Sequence, residues 1–160
     1  MKHFSLYFLA LAGLALACCT KADEVNPEEQ ASDAYWYNQI RNEVLYIDKD
    51  NSAFILQHVG LTDNEDGTPA LAVRNGDAIT LPYTLEGNRF VFKEGCLIIN
   101  GITFLADGYE EAWFDADGNL NVRIAKYYPS GDHYAKDPDP DSTWEKIYTR
   151  KALTFIDENQ

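Results

Sequence analysis

The chain has 160 residues and a net charge of −13, which gives it the size of one ordinary domain and makes nucleic acid an improbable partner. Hydrophobic residues make up 46% of the chain and aromatic residues 13%, and this composition excludes wholesale disorder. A surface this negative also repels anionic head groups, and it suits cationic partners, divalent ions or simple solubility.

The first 17 residues have the pattern of a cleaved signal peptide. Lys2 provides a short positive start, and residues 4–17 follow as an uncharged, mostly apolar run. A transmembrane helix needs about 20 apolar residues, so a run this short fits the core of a signal peptide better. We therefore predict that residues 1–17 are removed.

The end of this run resembles the lipobox of bacterial lipoproteins. Small residues precede two adjacent cysteines, Cys18 and Cys19. The resemblance implies that a diacylglyceryl group is attached to one of these thiols and that this cysteine becomes the first mature residue. Ala17 favours Cys18; the alternatives are Cys19, an ordinary signal peptide and a structural cysteine pair. The resemblance implies a membrane partner through the lipid anchor, with the outer membrane favoured and its side left open.

Residues 18–33 are polar and are predicted to tether the domain to the membrane. Within them, Asn26 and Pro27 followed by two acids predict the start of a helix, because Asn caps a helix and Pro fits its first turn. This helix either runs toward Ile40 or gives way to a first strand at residues 35–37.

The remaining chain is predicted to be all-β. Residues 34–151 form the domain, and 152–160 a C-terminal tail. Short apolar or alternating runs between turn residues predict strands at 44–47, 53–59, 78–85, 89–93, 97–99, 102–105, 110–114, 120–125 and 144–150. Asn100 and Gly101 predict a two-residue hairpin turn, and Pro82 predicts an edge or a bulge. An antiparallel meander of 8–10 such strands must close as a barrel or pair as a β-sandwich, since open edges invite aggregation.

Several of these segments resemble small lipocalin-like lipoproteins. The likeness rests on Trp36 near the first strand, on residues 83–88 and 114–119 as strand–turn patterns, and on the closing strand at 144–151. It covers most of residues 34–151. The resemblance implies a barrel that holds a small ligand in its interior.

No segment predicts a catalytic, cofactor-binding or metal-binding site. Residues 130–133 bring Ser, Asp and His together, but neighbours in one turn rarely converge as a triad, and we predict a solvated turn. The acidic turn at 115–119 lacks the full oxygen set that calcium needs. Cys96 lies in an apolar stretch and is predicted to be a buried hydrophobic residue.

The aromatic residues are the best candidates for ligand contacts. We predict Trp36, Tyr83, Trp113 and Tyr128 as contact residues, within a wider aromatic set that also includes Tyr109, Tyr127 and Tyr134. The leading hypothesis is an envelope-anchored, non-enzymatic binding domain for a small apolar or amphipathic ligand. An accessory subunit of an envelope or surface assembly is the alternative. A glycan hydrolase, which needs two opposed carboxylates, is a less favoured third.

Overall fold

The computed structural model describes residues 25–32, 34–73, 78–151 and 154–156. Within them, the elements in chain order are α1 (Pro27–Ala31), β1 (Tyr35–Asn38), β2 (Glu43–Asp48), β3 (Ala53–Asp63), β4 (Pro69–Val73), β5 (Ile79–Glu86), β6 (Arg89–Phe92), β7 (Leu97–Ile99), β8 (Ala106–Phe114), β9 (Leu120–Ser130), β10 (His133–Lys136), a 3-10 helix (Pro140–Ser142), β11 (Thr143–Lys151) and β12 (Thr154–Ile156).

Eight of these strands close into an antiparallel barrel. Around the barrel the order is β1, β2, β3, β5, β6, β8, β9 and β11, and β11 pairs back with β1. Closure gives each of these strands a neighbour on both sides, which removes the exposed edges of an open sheet. The predicted all-β antiparallel fold is confirmed, and the chain adopts the barrel rather than the sandwich.

The other strands extend the barrel wall. Strand β4 pairs with the last residues of β3 and, in parallel, with β12. Strands β7 and β10 pair with the first residues of β8 and the last residues of β9. Strands β4, β10 and β12 were not predicted from the sequence. Residues 154–156, which lie in the predicted C-terminal tail, form β12.

The barrel has two ends that differ in what they carry. We call the end with α1 the helix end; its turns are residues 49–52, 87–88 and 115–119. We call the opposite end the distal end; it carries residues 39–42, 93–96, 100–105 and 131–132.

Helix α1 covers the helix end of the barrel. Asn26 caps it by accepting a hydrogen bond of 3.0 Å from the Glu28 backbone N–H. The Trp36 indole N–H donates to the Ala31 carbonyl at 3.2 Å, and the Tyr83 hydroxyl donates to the Glu28 carboxylate at 2.7 Å. These bonds join the helix to β1 and β5, and Ala31 is fully buried.

The predicted helix start is confirmed, but the helix ends at Ala31 and residues 35–37 begin β1. Ser32 leaves the helical conformation, and its backbone N–H and hydroxyl both donate to the Glu28 carbonyl. Helix α1, which lies within the predicted tether of residues 18–33, packs on the barrel through Ala31. Within the residues described, no helix is long and apolar enough to cross a membrane.

Aromatic side chains occupy the barrel interior. The Phe54 ring centroid lies 5.5 Å from that of Tyr83, 4.9 Å from that of Phe90 and 6.0 Å from that of Phe92. The Trp36 ring lies 5.0 Å from a further aromatic ring, that of Phe114. Strand β9 adds a row of alternate apolar residues, as its sequence pattern predicts. The centre of the barrel is therefore a packed core.

The turn predicted at Asn100 and Gly101 is wrong in its length. Strand β8 begins at Ala106, so the hairpin has a six-residue loop, and the predicted strand at 102–105 is part of that loop. A two-residue type I′ turn requires positive φ at both central residues. Here Phe104, and neither Asn100 nor Gly101, has a positive φ, of 56°.

The edge or bulge predicted from Pro82 is also wrong. Strand β5 is an inner strand that pairs with β3 up to Pro82 and with β6 from Tyr83 onward. Pro82 therefore sits where β5 changes its main neighbour. Its missing N–H is tolerated there, and its carbonyl accepts from the Lys93 backbone N–H at 2.8 Å.

Candidate functional site

The four predicted contact residues do not form one site. Trp36 and Tyr83 are buried in the core, at 2% exposure each. Trp113 lies on the outer face, with the guanidinium carbons of Arg89 and Arg123 at 4.7 and 5.1 Å from its ring. Tyr128 is 41% exposed on the distal part of β9. Packing and cation–π contacts account for the first three of these positions.

Other tyrosines from the wider aromatic set do converge, in a groove of about 430 Å³ at the distal end. Its walls are Phe92–Leu97, Gly108–Glu110, Tyr127 and Tyr134, and we call it the Tyr127 groove. The segment after β6, the first half of β8 and the β9–β10 hairpin supply these walls. The groove reaches core residues, because Phe92, Cys96 and Tyr109 are less than 9% exposed.

Gly108 sets the position of the Tyr127 ring. A Cβ atom on Gly108 would lie 2.2 Å from Tyr127 Cε2 and 3.0 Å from Leu97 Cδ2. Only a residue without a side chain lets the ring lie this close to the β8 backbone. Burial, and then the charge of Glu110, raises the pKa of Tyr127, so its hydroxyl is neutral at physiological pH.

Cys96 forms part of the groove floor. Its thiol lies 3.7 Å from the Pro82 carbonyl, and burial raises the pKa of the thiol. A neutral, buried thiol is a small hydrophobic surface rather than a nucleophile. The prediction that Cys96 is a buried hydrophobic residue is confirmed.

Charged side chains flank the groove. Lys136 on β10 forms an ion pair with Glu110 on β8, and Lys93 and Glu94 also line the groove. An apolar floor with a few polar groups at its edge is typical of sites for small amphipathic molecules.

A buried polar cluster lies inside the barrel behind the groove, and we call it the Glu43 cluster. The Lys146 ammonium donates to the Glu43 carboxylate at 2.9 Å and to the Tyr109 hydroxyl at 3.0 Å. The Tyr148 hydroxyl donates to the same Glu43 oxygen at 2.5 Å. All four residues are buried. Tyr109 belongs both to this cluster and to the groove floor.

Burial governs the ionisation of the two tyrosines of the cluster. For Tyr109, burial and then the Glu43 charge raise the pKa well above 10.0. For Tyr148, burial, then Tyr109, then Glu43 do the same. Both hydroxyls therefore remain neutral in the folded protein. This cluster was not predicted from the sequence, where its signal is a Lys and a Tyr two residues apart on one strand.

The groups considered for catalysis and metal binding form turns. Ser130 and His133 face each other across the β9–β10 turn, where the Asp132 side chain is fully exposed, so the predicted solvated turn is confirmed. Asp115 accepts hydrogen bonds from the Asp117 and Asn119 backbone amides, both at 2.9 Å. Among the described residues, no three His, Cys, Asp or Glu side chains are placed to hold a metal ion.

No protein-family model, curated protein or solved structure matches this chain.

Proposed function

We propose that this protein is a lipid-anchored, non-enzymatic binding domain of the bacterial cell envelope, and that a small amphipathic ligand binds in the Tyr127 groove. The observation that carries the proposal is the groove itself, about 430 Å³ in volume and floored by core side chains. Small-molecule sites are concave, mostly apolar and about 300–1,000 Å³ in volume.

The walls of the groove indicate the chemistry of the ligand. Tyr109, Tyr127 and Tyr134 offer ring surface to an apolar or flat body. Glu94 and Lys93 at the edge offer hydrogen bonds and charge to a polar end group. A ligand with a compact apolar body and one polar end satisfies both parts.

The barrel interior is a weaker candidate for the ligand site. The Phe54 ring contacts the rings of Tyr83, Phe90 and Phe92 there, and the Tyr83 ring also contacts that of Phe90. A ligand at that place would have to displace core side chains, whereas the groove is already formed.

A binding role is favoured over glycan hydrolysis by the partners of the two adjacent acids on β8. Glu110 pairs with Lys136, and Glu111 pairs with Arg89 and Arg123. Glycan hydrolysis needs two opposed carboxylates that are available to the substrate, whereas both of these are engaged in ion pairs.

Two variants test ligand binding by native mass spectrometry of the protein gently extracted from its own envelope. Gly108→Ala would push the Tyr127 ring away, so we expect the small-molecule adduct of the wild type to be reduced at least fivefold. Gly101→Ala is the matched control, because a Cβ there meets nothing within 4 Å. A wild-type protein without an adduct, or equal adducts in both variants, would contradict the groove as the ligand site.

The anchor has its own test. The double variant Cys18→Ser, Cys19→Ser is expected to move from the membrane fraction to the soluble envelope fraction. Cys96→Ala is the control, because it keeps both N-terminal cysteines and is expected to stay in the membrane fraction. Membrane retention of the double variant would rule out lipid anchoring.

A further inference from the structure

One loop at the distal end presents large apolar side chains to water. Residues 100–105 connect β7 and β8, and we call them the Asn100 loop. Ile102 is 91% exposed and Phe104 is 64% exposed. Ile99, at the end of β7, adds a third exposed apolar side chain. The turns at 49–52, 87–88 and 115–119 carry mostly small and polar residues instead.

The backbone of the Asn100 loop is held by hydrogen bonds. The Asn100 side chain accepts from the Ile102 N–H at 2.9 Å and from the Thr103 N–H at 3.3 Å. The Asn100 backbone donates to the Leu105 carbonyl at 2.7 Å and accepts from the Phe104 N–H at 2.8 Å. The apolar side chains are therefore presented by an ordered backbone, which lowers the entropy lost when a partner binds.

Phe104 adopts a backbone conformation that is unfavourable for its residue type. Its φ of 56° lies in the left-handed region, which bulky residues rarely adopt. The other two non-glycine residues with positive φ among those described are the small polar residues Asn42 and Ser52. Strain of this kind persists at sites where a side chain must be presented in a particular direction. Here the residue with this strained backbone is an aromatic that is 64% exposed.

The charged residues near the loop indicate which kind of surface it binds. Asp107 follows the loop on β8 and lies opposite Lys126, whose carbonyl accepts from the Asp137 N–H at 2.9 Å. Asp137 begins an acidic run that continues with two exposed acids, Asp139 and Asp141. This run lies about two strand spacings, or about 10 Å, from β8. An anionic lipid surface is repelled by this run, whereas a protein surface with basic residues is attracted.

The position of the loop relative to the anchor also favours a protein partner over a lipid surface. This argument rests on the proposed lipid anchoring. The seven residues 18–24 can span at most about 25 Å. They lead to α1 at the helix end. The Asn100 loop is at the other end of the barrel, beyond the nine residues of β8, which span about 30 Å along the strand. An anchored barrel standing on its helix end presents this loop away from its own membrane.

We infer that the Asn100 loop is a protein-docking element, and that Ile102 and Phe104 insert into an apolar pocket with a basic rim on another envelope or surface protein. Two exposed apolar side chains on an ordered, strained loop beside an acidic run fit such a pocket. The partner surface needs a concave apolar centre for the two side chains and Lys or Arg opposite Asp139 and Asp141.

Site-specific photo-crosslinking in living cells tests the inference. A crosslinking amino acid at position 102 is expected to give one discrete adduct with a different protein. The same amino acid at position 117, an exposed turn residue at the helix end, is the control and is expected to give no such adduct. Equal crosslinking at both positions would overturn the inference, as would an adduct of twice the protein's own mass.

The purified partner then allows an affinity comparison. The double variant Ile102→Ser, Phe104→Ser is expected to weaken binding at least about tenfold, as for central apolar anchors. The variant Asp139→Asn, Asp141→Asn is expected to weaken it by a smaller factor and to reduce its salt dependence. Unchanged affinity in the Ile102, Phe104 double variant would overturn the inference. Binding of the wild type to anionic vesicles that is lost in the same variant would assign the loop to lipid instead.

Phe104→Asn separates docking from a structural role. Asn tolerates the left-handed region, so the midpoint of thermal unfolding is expected to rise while partner binding weakens. A lower midpoint would contradict the strain argument. Partner binding is also measured with Gly108→Ala and with the soluble Cys18, Cys19 double variant, both of which retain the loop. Failure of docking is therefore distinguishable from failure of the proposed ligand binding or anchoring.

Discussion

The two ends of the barrel use the same strands for different physical tasks. At the helix end, α1 covers the core, the Trp36 indole and the Tyr83 hydroxyl bind the helix, and the turns are short and polar. At the distal end, the barrel encloses an ion pair, opens into the Tyr127 groove and presents the exposed Asn100 loop. The first arrangement stabilises the fold. The second retains buried charge, exposed apolar surface and backbone strain, which are the features expected where a protein binds something.

The largest effect is expected at the helix end, with Trp36→Ala. The indole is 2% exposed and in contact with Phe114, so its removal leaves a cavity and frees α1. We expect the free energy of unfolding to fall by about 3–5 kcal/mol in denaturant titrations. Trp36→Phe, which keeps a ring but loses the bond to Ala31, serves as the milder control. A loss below about 1 kcal/mol would show that the helix end is not the main source of stability.

The next effect is expected in the Glu43 cluster at the distal end. Lys146→Met leaves the Glu43 carboxylate buried without its cation, and we expect a loss of about 3 kcal/mol. The double variant Glu43→Gln, Lys146→Met removes both charges and is expected to recover at least half of that loss. If the double variant were as unstable as the single one, the ion pair would not be the reason for the loss.

The sequence predicts the structure of the helix end better than that of the distal end. Hairpin patterns, the cap at Asn26 and the aromatic content predict the barrel strands and the start of α1, because turn chemistry and alternation are local. The Glu43 cluster and the Tyr127 groove combine residues from β2, β8, β9 and β11. Which of these side chains lie close together depends on the register between the strands of the barrel. Nothing in the sequence around Gly108 indicates that its lack of a side chain makes room for the Tyr127 ring on the next strand.

The mistaken turn prediction has the same origin. Asn100 and Gly101 have the composition of a tight turn, but the Asn100 side chain binds two backbone amides within a longer loop. Trp36 and Tyr83 are aromatic, as ligand contacts often are, and the barrel places both in its core.

An alkaline shift is expected to weaken the distal end through its buried tyrosines. The folded pKa values of Tyr109 and Tyr148 are raised above 10.0, the value expected in the unfolded chain. Their contribution to stability is complete below pH 10 and is lost as the pH rises from about 10 toward the folded values. The slope is about 1.4 kcal/mol per pH unit for each tyrosine. Tyr148→Phe is expected to flatten the measured slope, and an unchanged slope would contradict the assignment.

The smallest effect is expected at Glu145, which neighbours Lys146 on β11 but faces outward. Its carboxylate lies 3.4 Å from Arg123, and both side chains are more than one third exposed. Exposed ion pairs contribute little, so Glu145→Gln is expected to change the free energy of unfolding by less than about 0.5 kcal/mol. A loss as large as that of Lys146→Met would mean that burial does not separate the two faces of β11.

The central claim is that ligand binding takes place at the distal end. The most direct measurement follows backbone amide resonances of the nitrogen-15-labelled, soluble Cys18→Ser, Cys19→Ser variant during addition of a small-molecule extract of the envelope. We expect saturable shifts at Leu97, Gly108 and Tyr127, and none at Gly87 or Gly118 in the helix-end turns. Shifts confined to the helix end, or no saturable shifts at all, would contradict the claim.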